Sequence, residues 1–131
     1  MNYSEIYESA VNLIGEAVGT PSVSDYETRA GYIMANVTTI LIPIDAQYMA
    51  ANGLTGSTPS IRAYVEMNKV FPLSSVFVPA ATLYVAAMLV LTENAELSAS
   101  FYELYRNELT RIRNTLSFKK GPTVDKYALL T

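Results

Sequence analysis

The carboxylates are the side chains of this sequence most suited to chemistry, because cysteine and histidine are both absent. Without them the chain has no thiol nucleophile, no Cys/His zinc centre and no Ser-His-Asp triad. Two carboxylates in a cleft can act as acid and base in glycoside hydrolysis, and a cluster of them can bind a hard cation. The spacing of the acidic residues therefore decides whether either chemistry is open to this chain.

The acidic residues follow helical positions and form no catalytic or metal-binding motif. Several lie around a predicted helix or in a first helical turn, where the helix dipole favours a negative charge: Glu5, Glu8, Glu16, Asp25, Glu27, Glu93 and Glu96. The glycine-containing segment GLTGS at 53–57 lacks the lysine and the following helix of a phosphate-binding loop. We therefore expect no catalytic residue, no metal ligand and no cofactor, and hence no enzyme.

The length and charge of the chain limit the remaining classes of protein. A chain of 131 residues is long enough for one domain with a single core. Its net charge of −3 argues against a protein that coats nucleic acid over its whole surface. The start of the chain, MNYSEIYES, is acidic and has no apolar run, so we expect no secretory signal.

Two helices are predicted in the first half of the chain. Apolar residues recur at helical spacing from Tyr3 to Val18, and Asn2 with Glu5 has the spacing of a capping box. A second capping box, Ser24 with Glu27, precedes a long apolar stripe. This stripe comprises Tyr26, Ala30, Ile33, Met34, Val37, Ile40 and Leu41. Pro43 predicts that the second helix either ends there or kinks and resumes as far as Gly53.

Two more helices are predicted in the second half, after a loop at 53–60. Pro79 suits the first turn of a nearly all-apolar helix that extends to residue 91, and the break Thr92-Glu93-Asn94 precedes a fourth helix. The predicted buried stripe of the fourth helix comprises Leu97, Phe101, Leu104, Tyr105, Ile112 and Leu116. On its surface, Glu103 with Arg106 and Glu108 with Arg111 have the spacing of ion pairs. The stretch 61–71 is ambiguous, because it alternates partly like a strand while its charged residues lie along one helical face.

These elements predict an all-α protein, a single-domain bundle of four to five helices with a long central helical hairpin. The bundle would occupy residues 1–116, and 117–131 would form a carboxy-terminal arm. The arm carries apolar side chains that could dock on this chain or on a neighbour: Tyr127, Leu129 and Leu130. The uncharged stretch 70–92 is long enough to span a membrane, as in a phage holin, but two prolines and two serines in its first half favour a buried core helix.

Charge is distributed unevenly along the chain. Residues 1–60 contain six acidic residues against Arg29 alone, whereas residues 106–131 contain six basic residues against two acidic ones. The basic set includes Arg106, Arg111, Arg113, Lys119 and Lys120. This strip is either a solvated helix face, a contact between neighbouring copies, or a surface that faces DNA. Ten tyrosines add side chains that are common in interfaces and in half-buried positions.

The segment 70–113 resembles the head-tail connector, or head-completion adaptor, proteins of tailed phages. The resemblance is carried by a Pro-containing lead-in, the small-residue-rich apolar helix LYVAAMLVL, the short break TEN, and the signature from Phe101 to Tyr105 in SFYELYRNEL. It implies an all-α subunit of a ring between the portal and the tail, with DNA passing through the middle and no reaction catalysed. It also implies a virion protein that is assembled in the host cytoplasm, with portal and tail-completion proteins as partners.

Self-association is also expected on physical grounds, because a nearly all-apolar helix needs cover on several faces and copies of the chain could supply it.

Two other classes of protein are alternatives to a head-tail connector. One is a small helical interaction or regulatory module of phage or bacterial origin, and the other is a holin-like membrane protein.

Overall fold

The computed structural model describes residues 1–18 and 23–120 of the chain. It contains four α-helices: α1 (Tyr3–Val18), α2 (Val23–Ala51), α3 (Val78–Val90) and α4 (Ala95–Lys120). A single 3-10 turn, Ser75–Phe77, leads into α3. The described residues include no strand, and the prediction of an all-α protein is confirmed. Helix α4 continues past residue 116, where the predicted arm begins, and residues 121–131 lie outside the described residues.

The start of α1 is fixed by the capping box that the sequence predicts. The backbone N–H of Asn2 donates to Oε1 of Glu5 at 2.9 Å, and the backbone N–H of Glu5 donates to Oδ1 of Asn2 at 3.1 Å. These bonds satisfy two donors that a helix end would otherwise leave unpaired. The predicted bounds of the first helix, Tyr3–Val18, are confirmed.

Helix α2 passes through Pro43 without ending there. It runs for 29 residues, from Val23 to Ala51, although Pro43 has no N–H to donate to the carbonyl of Thr39. Both residues are exposed, so water can reach this unpaired carbonyl. The resumption of the helix beyond Pro43 is confirmed. Ile40 is a correction to the predicted apolar stripe, since its side chain is 40% exposed.

Helix α3 is the centre of the bundle and packs against α1, α2 and α4. Nine of its 13 residues are buried: Ala80, Ala81, Thr82, Tyr84, Val85, Ala86, Ala87, Leu89 and Val90. The alanines allow neighbouring helices to approach closely on several sides. The expectation that α3 needs copies of the chain for cover is wrong, because the other helices of the same chain supply it.

Helices α3 and α4 are antiparallel and joined by the turn 91–94. The hydroxyl of Ser98 donates to the backbone carbonyl of Ala87 at 2.8 Å, and the rings of Tyr84 and Tyr105 lie 5.2 Å apart in an edge-on contact. The side of α4 that faces inward is narrow and comprises Ser98, Phe101, Tyr105, Leu109, Ile112 and Leu116.

Leu104 is a correction to the predicted stripe of α4, since its side chain is 51% exposed. Successive residues of a helix are about 100° apart, so Leu104 and Tyr105 cannot both face α3 squarely. Leu109 occupies the buried position instead, four residues after Tyr105. Of the two predicted ion pairs on α4, the structure forms Glu108–Arg111 at 2.6 Å, and no ion pair joins Glu103 to Arg106.

The stretch 61–71 is neither a helix nor a strand but an irregular segment along the start of α1. The backbone N–H of Tyr3 donates to the carbonyl of Lys69 at 3.0 Å, and that of Ser4 donates to the carbonyl of Met67 at 2.9 Å. Asn2 and Val70 form an isolated antiparallel bridge. The segment therefore accepts hydrogen bonds from the first turn of α1, a role that its local sequence pattern does not indicate.

The uncharged stretch 70–92 is divided among several elements. Only 13 of its residues form α3, and the rest lie in the lead-in, the 3-10 turn and the turn 91–94. Among the described residues, no helix is both long and apolar enough to cross a bilayer.

Candidate interaction surfaces

The predicted basic strip is divided between two sides of α4. Arg106 and Arg113 are seven residues apart and so differ by about 20° around the helix, whereas Arg111 lies about 140° from Arg106. Arg111 is paired with Glu108, and this ion pair raises the pKa of its guanidinium. Arg106 and Arg113 are exposed and form no ion pair within the described chain. Lys119 and Lys120 lie at the end of α4, but their side chains, like Tyr127, Leu129 and Leu130, are outside the described part.

Tyr102 precedes Arg106 by four residues and extends the same side of α4. It is 40% exposed, and its ring lies 5.3 Å from that of Tyr105 and 6.4 Å from that of Tyr84. We call the surface formed by Tyr102, Arg106 and Arg113 the basic flank. An exposed aromatic ring beside two unpaired arginines has the composition of an interface centre.

Tyr84 and Tyr105 hold Tyr102 in place from beneath. The amide of Asn36 donates to the hydroxyl of Tyr84 at 2.6 Å, which links α2 to this cluster. Burial raises the pKa of Tyr105 to about 12, the neighbouring hydroxyls of Tyr102 and Tyr84 add to this shift, and the charge of Arg113 opposes it. The phenol of Tyr105 therefore stays protonated at neutral pH.

A groove of about 540 Å³ with acidic residues in its lining lies between α1, the start of α2 and Met67, and we call it the acidic groove. Two carboxylates line it, those of Glu8 and Glu27, and both are exposed. Its apolar part is formed by Tyr7, Val11 and Met67, which are half-buried. The pKa of Tyr7 is raised by burial and by the negative charge of Glu27, which places that charge close to the phenol. The sequence shows both acids but not that the fold brings them to one groove.

Another groove, of about 630 Å³, lies between α2, residues 61–63 and α3. Its lining includes Arg29, Tyr32, Asn36 and Tyr84. Arg29 is already engaged by Asp25 and by the carbonyls of Met88 and Leu89, and Asn36 is bonded to Tyr84. Arg29 and Asn36 thus hold helices together at this groove.

The described carboxylates form no metal-binding cluster. No group of three acidic side chains that could hold a metal ion occurs within 1–18 and 23–120. Asp45 is 5% exposed, and its Oδ1 accepts a hydrogen bond from the backbone N–H of Ser74 at 3.0 Å. This buried carboxylate, which the sequence pattern did not single out, fixes the lead-in to the 3-10 turn.

The fold and these surfaces define an all-α bundle with a filled core and two exposed surfaces of opposite charge. No family model, curated protein or solved structure matches the chain. What the chain does must therefore be argued from its own residues.

Proposed function

We propose that this protein is a non-enzymatic structural subunit of a tailed phage, of the head-tail connector type. It would assemble into a ring between the portal and the tail, inside the virion, after synthesis in the host cytoplasm. DNA would pass through the ring, and residues of the predicted basic strip would contact it non-specifically. The proposal rests on the resemblance of 70–113 to that family and on the charge of two surfaces.

The observation that carries the proposal is the presence of the basic flank and the acidic groove on one small subunit. Complementary surfaces at different places on one chain allow copies to bind head to tail, and such contacts close into a ring when the rotation permits. A subunit that binds a single partner needs only one such surface. The charge distribution thus favours a repeating assembly.

The packing of 70–113 also supports the proposal. Phe101 and Tyr105, which begin and end the family-like signature, are 7% and 3% exposed and face α3. The signature therefore belongs to residues that pack α4 onto α3, as expected if it marks a shared fold. In the proposed ring, the antiparallel α3 and α4 form the long central helical hairpin of the subunit.

The proposal is tested by mixing the protein with the portal protein encoded in the same genome. Light scattering coupled to size exclusion should detect a particle that contains the portal and several copies of this chain. Separate elution of the two proteins over a range of ionic strength would contradict it.

An alternative is a small helical interaction or regulatory module, favoured by the groove between α2 and α3. Tyr32 is 59% exposed beside that groove, and its ring lies 4.9 Å from the ring of Tyr64. A module of this kind would remain a monomer or dimer and would ignore the portal.

A further inference from the structure

We propose that the basic flank of one copy binds in the acidic groove of the next copy. This proposal rests on the proposed function, because both require the chain to self-associate. It adds which two surfaces form the contact. It names Tyr102, Arg106 and Arg113 on one side of the contact and Glu8 with Glu27 on the other.

The acidic groove has charges that the described part of the chain leaves unpaired. Neither Glu8 nor Glu27 forms an ion pair with any described basic residue. The apolar side chains between them are half-buried, so a partner that covers the groove would remove further apolar surface from water. A groove lined by two carboxylates and by apolar side chains fits an arginine side chain, which has both a cation and an apolar stem.

The basic flank has the complementary composition. Arg106 and Arg113 lie about two helical turns apart, or about 10 Å along α4, and Tyr102 extends the row by one more turn. Arginine and tyrosine are enriched at the centres of protein interfaces. Both arginines belong to a regular helix whose inward side is packed on α3, so their backbone positions are fixed relative to the bundle.

A second copy is the occupant because the two surfaces lie on different helices of the same subunit. Helices α1 and α4 both pack on α3, but in the described part of the chain they make no substantial contact with each other. The contact is therefore heterologous, with a different surface used on each partner. Heterologous contacts propagate, which gives a ring when the rotation closes.

Charge reversal on each side tests the contact. One variant combines Arg106→Glu with Arg113→Glu, and the other combines Glu8→Lys with Glu27→Lys. We expect each variant alone to self-associate at least tenfold more weakly than the wild type at low ionic strength, because like charges then face each other. An equimolar mixture should recover assembly, since every junction in an alternating ring again joins opposite charges.

Matched controls change the same number of charges elsewhere. Arg62→Glu with Lys69→Glu controls for the basic reversal, and Glu66→Lys with Glu96→Lys controls for the acidic one; all four side chains are exposed. Glu96 lies in the first turn of α4 and Glu27 lies just after the first turn of α2, so each acidic reversal places one cation near a helix start. The controls should assemble like the wild type, and circular dichroism should show that all variants are folded.

Three results would overturn the proposal: a monomeric wild type at high protein concentration and low salt, reversals that leave assembly unchanged, or a mixture that fails to recover it. Loss of DNA binding by the α4 variant with assembly intact would assign the basic flank to DNA instead. The portal experiment separates this from the proposed function. If the wild type binds the portal and the charge reversals have no effect on assembly, the connector function is supported and this contact between copies is refuted.

Discussion

The guanidinium of Arg29 donates to the backbone carbonyl of Leu89 at 2.8 Å, so that a side chain of α2 covers the carboxyl end of α3. It also donates to the carbonyl of Met88 at 3.2 Å. The last carbonyls of a helix have no partner within it, and a cation suits that end of the helix dipole. The central helix is thus held at its end by the only basic residue among the first 60 of the sequence.

Replacing Arg29 by methionine should lower the free energy of unfolding by about 1 to 3 kcal/mol, because charge-assisted hydrogen bonds to partly buried carbonyls are lost. Urea denaturation measures this. Arg62→Met, at an exposed arginine, is the control and should change stability by less than about 0.5 kcal/mol. Asp25→Asn should also have a small effect, since its ion pair with Arg29 is largely exposed. Equal losses in the Arg29 and Arg62 variants would show that the carbonyl bonds contribute nothing.

Replacement by aspartate should greatly destabilise the protein at Leu109 and hardly affect its stability at Leu104. Leu109→Asp places a carboxylate at a position that is 7% exposed, which costs several kcal/mol and should remove soluble folded protein. Leu104→Asp, at 51% exposure, should leave melting nearly unchanged. Expression of both variants, followed by measurement of their soluble yield and thermal melting, tests this prediction. A folded Leu109→Asp protein, or an unfolded Leu104→Asp protein, would contradict the orientation of α4.

Some of these structural features could be predicted from the local sequence and others could not. Asn2 and Glu5 are three residues apart and satisfy each other, so the start of α1 is readable from the sequence. Leu104 was misplaced because hydrophobicity alone does not say which side of α4 meets α3. The conformation of the segment 61–71 could not be predicted because its hydrogen-bond partners are distant in sequence, at the start of α1 and at Gly31 of α2.

The surfaces were predictable only in part. The concentration of basic residues near α4 is visible in the sequence, but its division into Arg106 with Arg113 on one side and Arg111 on the other follows from the orientation of the helix. The groove that contains Glu8 and Glu27 requires two helices to pack, which no single-segment pattern encodes.

Gly31 should be energetically coupled to Tyr64. A Cβ atom built on Gly31 would overlap the Tyr64 ring, whose neighbour Val65 donates its backbone N–H to the carbonyl of Gly31 at 3.2 Å. Glycine-to-alanine changes inside a helix normally stabilise by about 0.5 to 1 kcal/mol. We expect Gly31→Ala to give less than this in the wild type and the full gain in a Tyr64→Ala background. A double-mutant cycle from denaturation curves that gives no coupling would contradict the close approach.

Stability should fall at alkaline pH, partly through Tyr105. Its pKa in the folded protein is raised to about 12, whereas an unfolded tyrosine has a pKa of about 10. The folded state thus holds this proton more tightly, and the resulting stability is complete below about pH 10 and is lost as pH rises towards about 12. The pKa values of Tyr3 and Tyr84 are raised in the same direction, chiefly by burial.

Tyr105→Phe should therefore lose less stability than the wild type between about pH 10 and 12, as measured by urea denaturation across that range. Tyr32→Phe, at an exposed ring, is the matched control. Identical slopes in the wild type and in Tyr105→Phe would show that this phenol does not ionise on unfolding.

The central claim, that the chain joins phage heads to tails, is tested most directly by electron microscopy of phage that lack it. A phage whose copy of this gene is interrupted should accumulate heads and tails that are not attached to each other, and supply of the wild-type protein should restore complete particles. Complete, tailed and infectious virions in the absence of the protein would contradict the account.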